Sequence, residues 1–311
     1  MVRLIGRFGD NGCGQHGRAS TIADRGWVED KVVATAGPVT MNPGEAGEAV
    51  AGLSPSDILT ILGAALRDFR AAPLHDLALG GIYAVGGWLL VLLLFVLDLP
   101  FLVYPLAAGF ALVAPFMAAS FYAVSRVRER GERVTWRGIF HAVRASASTD
   151  LGWMALVTGF SLFIWLDIAA FLFFGFLGFS GIFASLPDLV RMIFATPSGL
   201  MFLVVGHIVG AAIAFAVFSI TVTSVPMLFD REVDFVTAMI ASVRVVAANP
   251  VTMMVWCATI AALIGLSLLS GLLGLFVVLP VLGHASWHLY RRLFPQGRQE
   301  VPVQNFSEPE A

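Results

Sequence analysis

Three observations predict an all-α fold that crosses a membrane six times. Apolar residues make up 58% of the 311-residue chain against 13% charged, at a mean hydropathy of +0.84, outside the range of soluble globular domains. The apolar residues gather into charge-poor runs, each long enough at ~1.5 Å per residue to cross a ~30 Å hydrocarbon layer. Shorter segments with helical apolar spacing precede those runs at three places, so the chain reads as three units, each an interfacial amphipathic helix followed by a transmembrane hairpin. The same composition excludes other classes. A net charge of -2 lacks the basic excess that nucleic-acid binding requires. Two cysteines, Cys13 and Cys257, are too few for a disulfide framework or a zinc cluster.

In chain order, residues 1–52 have no apolar period and read as a disordered tail. Met41 is a second candidate start, which would place 1–40 outside the native protein. Residues 53–293 form the membrane domain, and 294–311 read as a disordered cytoplasmic tail. Ser54, Pro55 and Asp57 signal a helix start, through a capping hydroxyl, a proline suited to the first turn and an acid at the positive end of the dipole. The helix that follows carries Ile58, Ile61, Leu62, Ala65, Leu66 and Phe69 on one stripe, with Arg67, Asp68 and Arg70 placed off it. It is expected to lie in the interface plane, stripe inward.

Span one is expected at 77–97 and span two at 101–125, where Pro105 and Pro115 predict a kink. A second interfacial helix is expected over 135–148, with Trp136, Ile139, Phe140, Val143 and Ala147 on one face. Spans three and four follow at about 151–174 and 199–222, joined by a partly apolar linker over 175–198. The third interfacial helix, about 232–248, repeats the first helix's stripe with Phe235, Ala238, Met239, Ser242, Val243 and Val246. Measured from Arg67 and Arg244 the two stripes coincide. Six residues past each arginine stands a proline, Pro73 or Pro250, and Asp150 holds that place after Arg144. The run 251–282 breaks at Ser270-Gly271 into spans five and six. Pro115 and Arg126 are eleven residues apart, as are Pro280 and Arg291. Gly80-Gly81 and Gly86-Gly87 lie in apolar helices, where small residues permit close approach. Arginines cluster between spans two and three and after span six, so both termini are expected in the cytoplasm.

Three stretches carry a family resemblance: LRDFRAAPLHDL from Leu66, SVPMLFDR ahead of the third interfacial helix, and the ending LPVLGHASWHLYRR. Over roughly 53–293 the chain resembles the bacterial integral membrane family known as domain of unknown function 2189. Pro280, Gly283, His284, Trp287, His288 and Tyr290 stand where that family's pattern has them. The resemblance implies a bacterial inner-membrane, multi-pass protein with no established activity. Some members carry cytochrome oxidase labels, which implies an accessory role in a respiratory complex as one alternative.

Four sets of residues are candidates for function. Asp167 lies inside span three, where an ionised carboxylate costs at least ~2.5 kcal/mol. With His207 of span four it is a candidate intramembrane polar site for a proton or cation; a protonated or snorkelling acid held by a neighbouring helix is the structural alternative. His284 and His288 share a helix face beside Trp287. They are candidates for a metal or haem edge, but no third ligand stands nearby, and imidazoles at a helix end serve equally as partners for headgroups. Arg126, Arg128, Arg130 and Arg133 set topology and are candidates for contact with anionic lipid. His75, His141 and Cys257 read as boundary or packing residues. No nucleotide, hydrolase or zinc-protease motif occurs. No catalytic residue, metal or cofactor is assigned. The leading expectation is a non-catalytic membrane protein that binds lipid or membrane-protein partners, with a proton-coupled transporter using Asp167 and His207 as the alternative.

Overall fold

The computed structural model describes residues 52–96, 100–147, 149–178 and 186–295. The expected tails, 1–52 and 294–311, lie almost wholly outside those residues, as does 179–185 of the expected linker. Helices follow one another in the order α1 Pro55–Ala71, α2 Pro73–Phe95, α3 Pro100–Glu129, α4 Trp136–Ser146, α5 Thr149–Leu177, α6 Leu186–Ala195, α7 Pro197–Thr221, α8 Ser224–Asp230, α9 Phe235–Ala248, α10 Pro250–Leu269 and α11 Leu275–Leu293. Among the described residues there is no sheet.

Helix starts follow local chemistry. Proline opens α1, α2, α7 and α10, where its missing amide costs nothing. Thr135, Thr196 and Asp234 cap α4, α7 and α9 by accepting from the amides of Gly138, Gly199 and Thr237. At α1 the roles differ from expectation: Asp57 accepts from both the amide and the hydroxyl of Ser54. α3 runs through Pro105 and Pro115 as one helix, and α11 through Pro280.

Four helical stretches are long and apolar enough to cross a membrane: Pro73–Leu93, Thr149–Leu177, Pro197–Asp230 and Pro250–Leu269. The expected count was six. α3 and α11, at 30 and 19 residues, occupy the places of spans two and six; α11 is diluted by its polar end, which holds two histidines and two arginines. The expected linker also holds a helix, α6, and α8 follows α7 directly.

The core sits at one end of the long helices. Ile58, Ile61 and Ala65 of α1 meet Ala119, Tyr122 and Ala123 of α3, Val225 to Phe229 of α8, Met253 and Trp256 of α10, and Leu282 to Leu293 of α11. The stripe of α1 is thus turned into protein rather than into the bilayer interface. In α4 only Ile139 is buried, while Trp136 and Phe140 face outward, as a headgroup-level contact requires. One expectation fails in α1. Asp68 is buried, because 58, 61, 65 and 68 are spaced three, four and three and share one face of a helix.

The turn between α1 and α2 has the same backbone as the turn between α9 and α10: φ -135° and ψ 46° at Ala72, φ -129° and ψ 53° at Asn249. These positions immediately precede Pro73 and Pro250, the two prolines that the sequence repeat aligns.

Candidate functional site

Close approach of three helices creates a buried polar line. A Cβ on Gly80 would stand 3.0 Å from the Phe276 carbonyl oxygen and 3.0 Å from Cδ of Pro280. α2 and α11 therefore touch backbone to backbone, at a place where a side chain larger than glycine's would press the neighbouring helix back. One turn toward the start of α2 is Asp76, and one turn toward the end of α11 is His284. The antiparallel crossing brings them together, with Nε2 of His284 3.2 Å from Oδ2 of Asp76 and both side chains fully buried. That contact has the distance of an ion pair without the alignment of a hydrogen bond. Neither Asp76 oxygen has a hydrogen-bond partner.

The same device works on α3. A Cβ on Gly283 would meet the Phe121 side chain at 2.6 Å, so α11 and α3 also cross closely. One turn beyond Phe121 is Ser125, whose Oγ lies 2.9 Å from Nδ1 of His284 and 2.8 Å from Oδ2 of Asp68. Asp68 in turn stands 2.8 Å from Nε2 of His288. Arg128 approaches its other oxygen at 3.9 Å. Five side chains from four helices thus form one line, Asp76, His284, Ser125, Asp68, His288, running from a sealed carboxylate to a partly exposed imidazole.

Donor counting fixes the protons. Burial pushes the Asp68 carboxyl up, yet hydrogen bonds from His288 and Ser125 and the charges of His288 and His284 outweigh it and hold it below the ordinary carboxylate value. Asp68 is therefore ionised and only accepts. The single hydroxyl proton of Ser125 goes to Asp68, so toward His284 the Ser125 oxygen accepts and Nδ1 carries a proton. On the far side of the ring, Nε2 faces a carboxylate. With no proton there, a nitrogen lone pair would oppose a buried anion, which is costly without compensation. A proton placed between Asp76 and His284 would remove that opposition.

A second polar layer lies at the ends of α3, α8 and α11. Tyr290 donates to Asp230 at 2.9 Å, and Trp287 donates through Nε1 to Glu129 at 3.0 Å. Arg126 lies 3.7 Å from Asp230 and 4.1 Å above the Phe229 ring; Arg291 lies 3.4 Å from Glu129. Tyr122, Phe229, Trp287 and Tyr290 pack ring against ring.

The expected site residues are distributed as follows. His284 and Trp287 are buried and His288 is half-buried. Both ring nitrogens of His284 face protein atoms, and among the described residues no group of three or more His, Cys, Asp or Glu is arranged to hold a metal ion. Arg126 and Arg128 are engaged by Asp230 and Asp68, whereas Arg130 and Arg133 are exposed. Asp167 and His207 lie on the outer faces of α5 and α7, away from the buried line, and His207 Nδ1 lies 2.7 Å from the carbonyl of Leu203 in its own helix. His75 packs its ring on Trp136 at 4.6 Å. The residues not foreseen are Asp68, Asp76 and Ser125. Asp68 was discoverable from its spacing; Asp76 and Ser125 stand at the ends of apolar runs, where polar residues are ordinary.

No curated protein and no solved structure matches the chain. Residues 103–230, from α3 to the end of α8, match the model of the family described as "Predicted integral membrane protein (DUF2189)", and with helices of spanning length and apolarity beside that match the chain is an integral membrane protein that sits in a lipid bilayer.

Proposed function

We propose that this is a six-span inner-membrane protein whose chemistry is the binding and release of one proton at Asp76–His284, with Ser125, Asp68 and His288 linking that proton to the cytoplasmic aqueous face. The observation that carries the reading is the fully buried Asp76, 3.2 Å from a His284 ring that is itself hydrogen-bonded through Ser125 and Asp68 to His288. An ionisable pair buried among spanning helices is a functional site by default. The end that His288 faces is also the end where Arg128, Arg130, Arg133, Arg291 and Arg292 gather, as a cytoplasmic face requires. Six spans and three units are supported by the element order, in which α1, α4 and α9 each precede long helices, and by the matching backbone at Ala72 and Asn249.

The proton's presence changes what α2 and α11 can tolerate at their crossing. When it is held, the pair is neutral in sum and the helices close around it. When it leaves, a buried anion remains, and the contact between Gly80 and Pro280 has to open to admit water. Proton occupancy thereby controls a helix crossing, which is the step that a proton-coupled carrier or a pH-gated partner site needs.

Two spectroscopic signals test this in protein reconstituted into lipid nanodiscs. Infrared spectra report a protonated Asp76 carboxyl, and nitrogen NMR of labelled histidine reports an imidazolium at His284. One of the two signals is expected in the native protein and is expected to vanish in Asp76→Asn. An ionised Asp76 beside a neutral His284 in the native protein refutes the proposal.

A further inference from the structure

Two ionisable residues lie on faces that nothing among the described residues covers. On α5, Trp153, Leu156, Phe160, Ile164, Asp167, Phe171 and Phe174 follow at spacings of three and four, and all are exposed. They form one outward stripe with a carboxylate in its middle. α7 is built alike: Leu200, Val204, His207 and Ala211 are exposed at spacings of four, three and four. Asp167 has no hydrogen-bonding or ion-pair partner among the described residues, and His207 turns only to its own helix. A charged side chain presented to lipid is disfavoured and is found facing a partner or a polar cavity.

The two residues lie at one depth. α5 and α7 run antiparallel, with Trp165 against the space over Gly210 and Phe173 against Phe202. Two residues beyond Trp165 is Asp167, and two before Gly210 is Ile208. His207 is thus about one residue, ~1.5 Å, from the level of Asp167. Beside it on α7, Gly206 has open space where a Cβ would stand, and Ala211 and Ala212 are exposed, so another helix can approach closely.

We propose that two copies of this chain associate in the membrane through the outward faces of α5 and α7, with Asp167 of each copy paired to His207 of the other. The charge pattern selects a second copy over an unrelated partner. Copies inserted in the same sense are related by a two-fold axis along the membrane normal, and that rotation preserves depth. An acid and a base at the same depth are therefore self-complementary, and both contacts form at once in a closed dimer. Apolar stripes on either side of the pair bury one another and exclude lipid and water from it.

Purified protein in nanodiscs or mild detergent, analysed by native mass spectrometry and sedimentation, tests the assignment. The wild type is expected as a dimer, and Asp167→His and His207→Asp are each expected to dissociate at least tenfold more readily. Mixing those two variants restores both acid–base contacts across a mixed dimer, so the mixture is expected to associate where each alone does not. A rescue of this kind cannot come from misfolding. A monomeric wild type, a stable dimer of Asp167→His, or a mixture that stays monomeric overturns the proposal, the first of these leaving lipid or a different membrane protein as the occupant. Neither substitution touches Asp76 or His284, so the spectroscopic test of the proton site is read independently.

Discussion

Replacing Asp68 with asparagine keeps the size of a buried side chain and removes its charge. In the native protein Asp68 accepts from Ser125 and His288, both at 2.8 Å. Bonds to a charged acceptor contribute about 1.5–3 kcal/mol each, against about 1 kcal/mol for a neutral pair, so weakening both costs about 1–4 kcal/mol. The cost depends on pH with a definite sign. The folded carboxyl lies below its ordinary value, so its contribution is present above the unfolded value of about 3.9 and is lost as pH falls through the lower folded value. The assay is unfolding free energy in mixed detergent micelles, measured for wild type and Asp68→Asn from about pH 7 down to about pH 3. The gap is expected to be constant above about pH 5 and to close below about pH 3.9. A gap that ignores pH, or none at neutral pH, refutes the placement of an ionised Asp68 at the centre of the line.

Gly283→Ala places a methyl 2.6 Å from the Phe121 ring, so α3 and α11 must separate; a loss of about 1–3 kcal/mol and weaker protection of the His284 ring proton from solvent exchange in NMR are expected. Asn249→Ala removes the acceptor for the Leu53 amide, 2.9 Å away; stability is expected to fall by about 1–3 kcal/mol, with faster hydrogen exchange at Leu53 than at the caps of α4 and α7.

Helix existence was legible because apolar spacing and proline placement are local properties. Pro73 and Pro250 open helices as the repeat requires, and the glycines of α2 sit against α11 as packing residues. The polar line was legible only in part. His284 and His288 stood out by their spacing, but their surroundings depend on α1, α2 and α3, which no local pattern can report. Asp68 was placed off the apolar stripe together with Arg67 and Arg70, although its spacing from Ile58, Ile61 and Ala65 puts it on the buried face. Asp76 stands just before the expected first span and carried no assignment. Its importance arises from the crossing of Gly80 with Pro280, a contact between segments two hundred residues apart. α6 was hidden because a ten-residue amphipathic helix with a proline in its first turn resembles a linker.

The crossing of α2 with α11 also imposes an order in time. Asp68 and Asp76 are synthesised early, and their partners His284 and His288 emerge about two hundred residues later, on the order of 10–40 s at ordinary elongation rates. Throughout that interval α1 and α2 hold two acids whose histidine partners have not yet been made, beside a glycine face that nothing has yet filled. The arrival of the last helix therefore completes the membrane domain as a single late event.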